Sequence, residues 1–171
     1  MQQFNPYLYL RYKNTIPFSN KLNDFINGWF ESRKDTFIFT DKDNFNSEDI
    51  VGTFELHKKI YIETNKIHIW SGASENSIFG SAETNLKFRA WHDFIHLNYN
   101  LGYSITEESI VCDIQKDMIP LDWYFEKSLI DCEIRGQAHY FYKNNRFVTN
   151  QRMFAISWLE NSINALNYKN I

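Results

Sequence analysis

Cysteine, proline and glycine are all scarce here: two, three and six residues respectively in a chain of 171. So little proline and glycine leaves no room for a flexible linker or a low-complexity segment. The cysteines, Cys112 and Cys132, are too few for a disulfide framework and suit a reducing compartment, although a pairing between the two stays open. A basic excess is missing as well. The formal net charge is −3 and the isoelectric point near 5.9, so the chain lacks the footprint of a nucleic-acid binder and no nucleic-acid partner is expected. No apolar run approaches the roughly 20 residues that cross a bilayer. The first residues show no basic-then-apolar pattern, so a non-secreted protein without membrane attachment is expected. No internal repeat is found.

Aromatic residues are abundant, at 18% with 15 Phe and 10 Tyr, and they supply much of a core that a chain of this length can bury. The length fits a single domain over 1–171. The pattern divides it into a mixed α/β part, 1–80, packed on a helical part, 81–171, which carries the polar site. The expected class is therefore α+β: a β-hairpin plus helices against a C-terminal unit resembling a four-helix bundle.

In the first part Tyr7–Tyr12 is β-prone. Ser19 or Asn20 caps a helix to about Arg33, with Leu22, Phe25, Ile26, Trp29 and Phe30 at helical spacing. Thr36–Thr40 reads as a strand. Ser47 looks like a helix start, with Ile50, Val51 and Phe54 as its apolar face. Lys59–Trp70 alternates like a hairpin turning at Thr64-Asn65, and Ser71–Asn76 is a connector.

Asn85–Tyr99 organises the rest. His92 and His96 stand four apart, which places both imidazoles on one helical face. On a wheel of about 100° per residue, Asn85, Arg89, His92 and His96 make one polar stripe. Phe88, Ile95 and Tyr99 flank it on one side and Leu86 and Leu97 on the other, whereas Glu83, Lys87 and Asn98 lie opposite. The stripe therefore sits at the centre of the buried face, where each polar group needs a partner or a ligand, because an unpartnered one costs roughly 1–3 kcal/mol. Phe94, on the side expected to be wet, implies that this side is covered too.

Two further helices turn polar groups inward. After Gly102, taken as the end of the His helix, Ser104 and Glu107 form a capping box. Glu108, Cys112 and Gln115 then share a face with Ile105, Val111 and Ile119. Pro120 closes that helix, and Asp122 opens a third, through about Asn144, on which Asp122, Glu126, Glu133 and Gln137 align. A last helix from Thr149 or Asn150 to about Leu166 carries Met153, Ile156, Leu159, Ile163 and Leu166 on one face and looks like packing only.

His92, His96, Glu108 and Glu133 are thus candidate metal ligands converging from three helices, the arrangement by which bundle cores hold metals. Asn85, Gln115, Glu126 and Gln137 are candidate pocket residues. His with carboxylate suits zinc, iron or manganese alike. Histidines bonded to carboxylates in a metal-free core satisfy the same pattern. Three motif families are approached. His92-Asp93-Phe94-Ile95-His96 resembles the zincin helix with Asp in place of Glu, which implies Asp93 as base and Glu133 as third ligand. The His92-Asp93 pair resembles the centre of HD-type phosphohydrolases, with His57 as the early histidine and no downstream Asp standing out. A di-iron bundle needs Glu-x-x-His pairs, and Val111, Leu129 and Gly136 stand where those histidines would be.

The combination Phe88-Arg89-Ala90-Trp91-His92-Asp93-x-x-His96, then Glu108 and Gln115, then Glu133-x-x-Gly136-Gln137, then Asn150-Gln151, is similar to small uncharacterised proteins of tailed bacteriophages. The resemblance covers about 67–157. It implies a phage or prophage source, and so the host cytoplasm or the virion as location, but no activity. Gly136 beside Glu133 and Gln137 lets a helix or a ligand approach closely. Three functions are in view. One is a metal-dependent hydrolase, with Asp93 as base and Arg89 orienting an anionic group of the substrate. Another is a non-enzymatic virion or accessory protein with a structural His/Arg/Glu network. The last is an effector binding a host protein or a small anionic ligand.

Overall fold

The computed structural model describes residues 16–167, and the expected strand Tyr7–Tyr12 lies outside them. The class is α+β, as expected, with a two-stranded sheet among helices. Helix α1 (Asn20–Glu31) begins where Ser19 Oγ accepts the Leu22 N–H, and it buries Leu22, Ile26, Trp29 and Phe30 on one face. A short turn leads to β1 (Phe37–Thr40). Helix α2 (Ile50–Thr64) starts at Asp49, whose carboxylate accepts the Gly52 N–H, rather than at Ser47. Phe54 faces the core as expected, whereas Val51 is exposed.

The expected hairpin over Lys59–Trp70 is not there. Residues through Thr64 complete α2, and Asn65, at φ 53°, is its left-handed C-cap. Only Ile67–Trp70 forms a strand, β2, and it runs parallel to β1 in the register Phe37 to Ile67 and Thr40 to Trp70. Isoleucines two apart have the period of a strand, but the helix runs through them and leaves Ile62 exposed, and Asn adopts φ > 0 at a helix end as readily as in a hairpin turn. α2 supplies the long crossover that a parallel pair needs. Ile67 and Ile69 point into the core, and His68 and Trp70 point away from it.

Helix α3 (Ala82–Tyr99) is the His helix, capped by Ser81. Asn100 in the left-handed region ends it, not Gly102. The Gly102 N–H is bonded instead to Glu107 Oε1, next to the expected capping box that opens α4 (Ile105–Asp117). Phe94 is covered by α1, with its ring 5.3 Å from that of Trp29 in an edge-on contact.

The third polar helix is a rod of three pieces: α5 (Tyr124–Asp131), a π-helical segment (Cys132–Gly136) and α6 (Gln137–Asn144). Trp123 rather than Asp122 precedes it, with no side-chain cap. The expected last helix is broken at Asn161 into α7 (Gln151–Glu160), capped by Asn150, and α8 (Ser162–Ala165). The buried face of α7 carries Phe154 and Ala155, while Met153 is half exposed. The Ile163 side chain lies outside the described ones. Gly136 lets α7 approach the rod, since a Cβ there would meet Trp158 and Phe154 at 3.1–3.2 Å. One hydrophobic core, with Trp91 and Tyr140 fully buried, runs from Phe18 to Ala165 through both parts.

Candidate functional site

Three polar atoms converge where α3 faces α4. His92 Nε2 and His96 Nε2 are 3.0 Å apart, and Glu108 Oε2 lies 3.2 Å from the first and 3.5 Å from the second. Their ring orientations are set from behind. His96 Nδ1 is 2.9 Å from the Leu101 carbonyl, which can only accept, so Nδ1 carries the proton. His92 Nδ1 is 2.9 Å from Gln115 Oε1, and with the amide so oriented that nitrogen is protonated too. Both Nε2 lone pairs therefore point at each other and at a carboxylate oxygen. Unlike atoms in a settled hydrogen-bond network, they require a cation or a shared proton between them.

Among the described residues these three form the group able to hold a metal ion. In a tetrahedral site with bonds of about 2.0–2.1 Å, neighbouring ligand atoms stand about 3.3 Å apart, close to the observed triangle. Each imidazole donates its other N–H to an oxygen, as metal-bound histidines do. Without an ion, burial works against the His92 imidazolium, but the charge and hydrogen bond of Glu108 outweigh it and lift His92 to about 9. Burial likewise works against the Glu108 carboxylate, and His92 and His96 overcome it and bring it down to about 2.

His92 and Glu108 open onto a cleft of about 570 Å³, while His96 and Gln115 stand behind its wall. This volume falls in the range of small-molecule sites. Asp93, Asn85, Arg89, Glu133 and Gln137 line it. No described side chain hydrogen-bonds the Asp93 carboxylate. Arg89 is engaged with backbone. Its guanidinium donates to the carbonyls of Trp70, Gly72 and Ala73 at 2.6–3.1 Å, pinning the connector after β2. The geometry thus gives it a loop to hold, not a free fork for a substrate anion.

Glu133 and Glu126, expected to align, part company. Glu133 faces the cleft, where Gln137 Nε2 donates to its Oε2 at 2.9 Å, but it is outside the metal-like triad. Glu126 is no pocket residue. It is buried elsewhere, accepting from Ser19 Oγ at 2.7 Å and pairing with Lys21. Seven residues set the two about 10 Å apart along the rod, so Glu126 reaches the start of α1 while Glu133, itself within the π segment, reaches the cleft.

Burial, only partly offset by Gln137 and Arg89, raises the Glu133 carboxyl to about 8. Its folded value then exceeds its unfolded one, so the folded state binds more protons between roughly pH 4.5 and pH 8, and stability falls as pH rises through that window. Glu133→Gln, which removes the titration, is expected to raise stability at pH 8 by about 1–3 kcal/mol relative to wild type, with little difference at pH 4. Urea unfolding at the two pH values measures it.

Several cleft residues lie outside the set expected from the sequence. His57 entered only through the HD pattern, yet its Nδ1 is 2.7 Å from the hydroxyl of the half-buried Tyr103, and the Tyr103 ring packs on His96. His68 and Gln151 also line the cleft. The outward phase of His68 on β2 was its only signal. Tyr103, in a connector, had none.

No protein-family model matches this chain, and no match is found among curated proteins or among solved structures.

Proposed function

We propose that this chain is a metal-dependent hydrolase in which His92, His96 and Glu108 hold one divalent ion at the wall of the cleft. The observation behind this reading is that two Nε2 lone pairs, each fixed by an acceptor behind its ring, meet beside a carboxylate at the spacing of a tetrahedral ligand set. Zinc, iron and manganese all suit this donor set. An ion held there supplies a Lewis acid and makes a bound water acidic near neutral pH. Asp93, one residue past the first ligand and lining the same cleft, takes the water's proton. Arg89 holds a loop that contributes to the cleft wall. The likeness to tailed-phage proteins supports the infected host's cytoplasm as the place of action.

A screen of chromogenic phosphate mono- and diesters, carboxylic esters and peptide anilides tests the reaction, using protein loaded in turn with zinc, manganese and ferrous iron. Asp93→Asn is expected to keep the ion and lose roughly 10²–10⁴ in rate, the usual worth of a positioned base. Glu108→Gln is expected to lose both. Full activity in the Asp93 variant removes that residue from the chemistry, and no turnover by any loaded form ends the hydrolase reading.

A second reading has an observation of its own. A His92 imidazolium paired with Glu108, backed by Gln115, closes the network without an ion. That arrangement suits a non-enzymatic virion or accessory protein, or an effector whose cleft binds a host protein or a small anionic ligand.

A further inference from the structure

Three buried or partly buried polar atoms along the same cleft have no hydrogen-bond partner among the described residues: Asn85 Nδ2, Glu133 Oε1 and Gln151 Oε1. Asn85 is 2% exposed and Glu133 8%. In a folded core such atoms are rarely left unsatisfied, and clusters of them mark an absent partner. Asn85 lies seven residues before His92 on α3, about 10 Å along the helix axis. This places it well away from the triad.

The chemistry of the three groups limits what fits. Gln137 donates to Glu133 Oε2, so when the Glu133 carboxyl is neutral its proton sits on Oε1, as a donor. Burial keeps that carboxyl neutral at ordinary pH. Asn85 adds an N–H donor and Gln151 a carbonyl acceptor. The nearby Arg89 offers no free fork to an anionic group, because it is engaged with three carbonyls. The matching ligand edge is uncharged and carries carbonyl and N–H groups side by side. The walls are aromatic: Phe88, Trp70, Phe141 and Phe147 line the same cleft, and the last two rings stack with centroids 4.6 Å apart. Flat heterocycles stack on such side chains irrespective of sequence.

We infer that Asn85, Glu133 and Gln151 form a subsite for a nucleobase, so that the cleft takes a nucleoside or nucleotide with its base edge read by these three residues. The inference rests on the hydrolase reading only in assigning the reacting phosphate end to the triad. Base recognition stands without it.

The test is ligand-observed NMR and calorimetry on metal-free protein with uridine, cytidine, adenosine and guanosine, and with benzylamine as a cationic ring. At least one nucleoside is expected to bind wild type. Asn85→Leu and Gln151→Leu are expected to weaken that binding by about tenfold each, the loss of one buried hydrogen bond. Glu133→Gln, which still offers an N–H donor, is expected to retain it. Methylating the base nitrogen that carries the N–H is expected to abolish it. Should Asn85→Leu fail to melt cooperatively, Gln151→Leu carries the test, since Gln151 sits in the first turn of α7 and is not fully buried. The inference is overturned if no nucleoside binds, if the variants bind as wild type does, or if benzylamine binds in preference to every nucleoside. Because no metal is present, failure here leaves the hydrolase reading standing, and failure to load metal leaves this one standing.

Discussion

Protein purified without chelator or polyhistidine tag is expected to contain about one divalent ion per chain, and Glu108→Gln to contain almost none. The triad supplies two imidazole nitrogens and one carboxylate oxygen within 4.8 Å of one another. An ion that binds only the folded chain stabilises it by about 2.7 kcal/mol at a hundredfold excess over its dissociation constant. For a chain of this size that raises the melting temperature by roughly 5–10 °C. Glu108→Gln is the informative variant because it keeps volume and hydrogen bonding while removing the charge. His96→Ala is less clean, since it leaves the Leu101 carbonyl without its donor and opens a hole in a fully buried position. If the triad is a metal-free ion pair, the outcome differs in kind. Wild type then holds no ion and none restores, chelator leaves its melting curve unchanged, and Glu108→Gln is destabilised by about 3–5 kcal/mol through the charge it strands on His92.

Where the chain follows regular geometry, its site is readable from the residues. Helix α3 is uninterrupted from Ser81 to Asn100, so a wheel at a constant angle correctly joins His92 to His96. The capping box at Ser104 and Glu107 fixes the start of α4 and with it the inward phase of Glu108 and Gln115. Legibility ends where the geometry turns irregular or the partner is backbone. Glu126 and Glu133 stand about two turns apart on the rod and meet different neighbours, and the irregular Cys132–Gly136 turn that carries Glu133 is announced by no residue in it. Of the two candidates for third ligand, Glu108 is the one that stands beside both histidines. The lost hairpin has a similar origin. Ile60 and Ile62 carry the period of a strand, but α2 runs through them and leaves Ile62 exposed. His57 and Tyr103 meet across 46 positions of sequence, a contact that only tertiary packing creates.

Arg89 shows how a correct placement still misleads about a role. The wheel puts it on the buried stripe, where a lone guanidinium suggests an anion to be bound. Its partners are instead three main-chain carbonyls, which no sequence pattern displays. The segment they belong to needs holding. Ala73 is a non-glycine residue at φ 51°, a conformation costing of order 1–3 kcal/mol and kept only where neighbours enforce it. Gly72 lies under the Trp70 indole so closely that a Cβ would collide with it. Arg89→Met is therefore expected to remove three charge-assisted hydrogen bonds and the restraint on Ala73 together, lowering stability on the order of 3–5 kcal/mol. Urea unfolding measures the loss, and limited proteolysis is expected to cut first within 71–76. Arg89→Lys is expected to recover less than half, because one ammonium cannot span carbonyls that a planar fork reaches at once. Were Arg89 instead an anion hook, Arg89→Met would stay within about 0.5 kcal/mol of wild type and only ligand binding would suffer. The same loop carries Trp70, Ala73, Glu75 and Asn76 into the cleft wall. Its release also deforms that wall, so the Arg89 variants should lose ligand binding in proportion to their loss of stability.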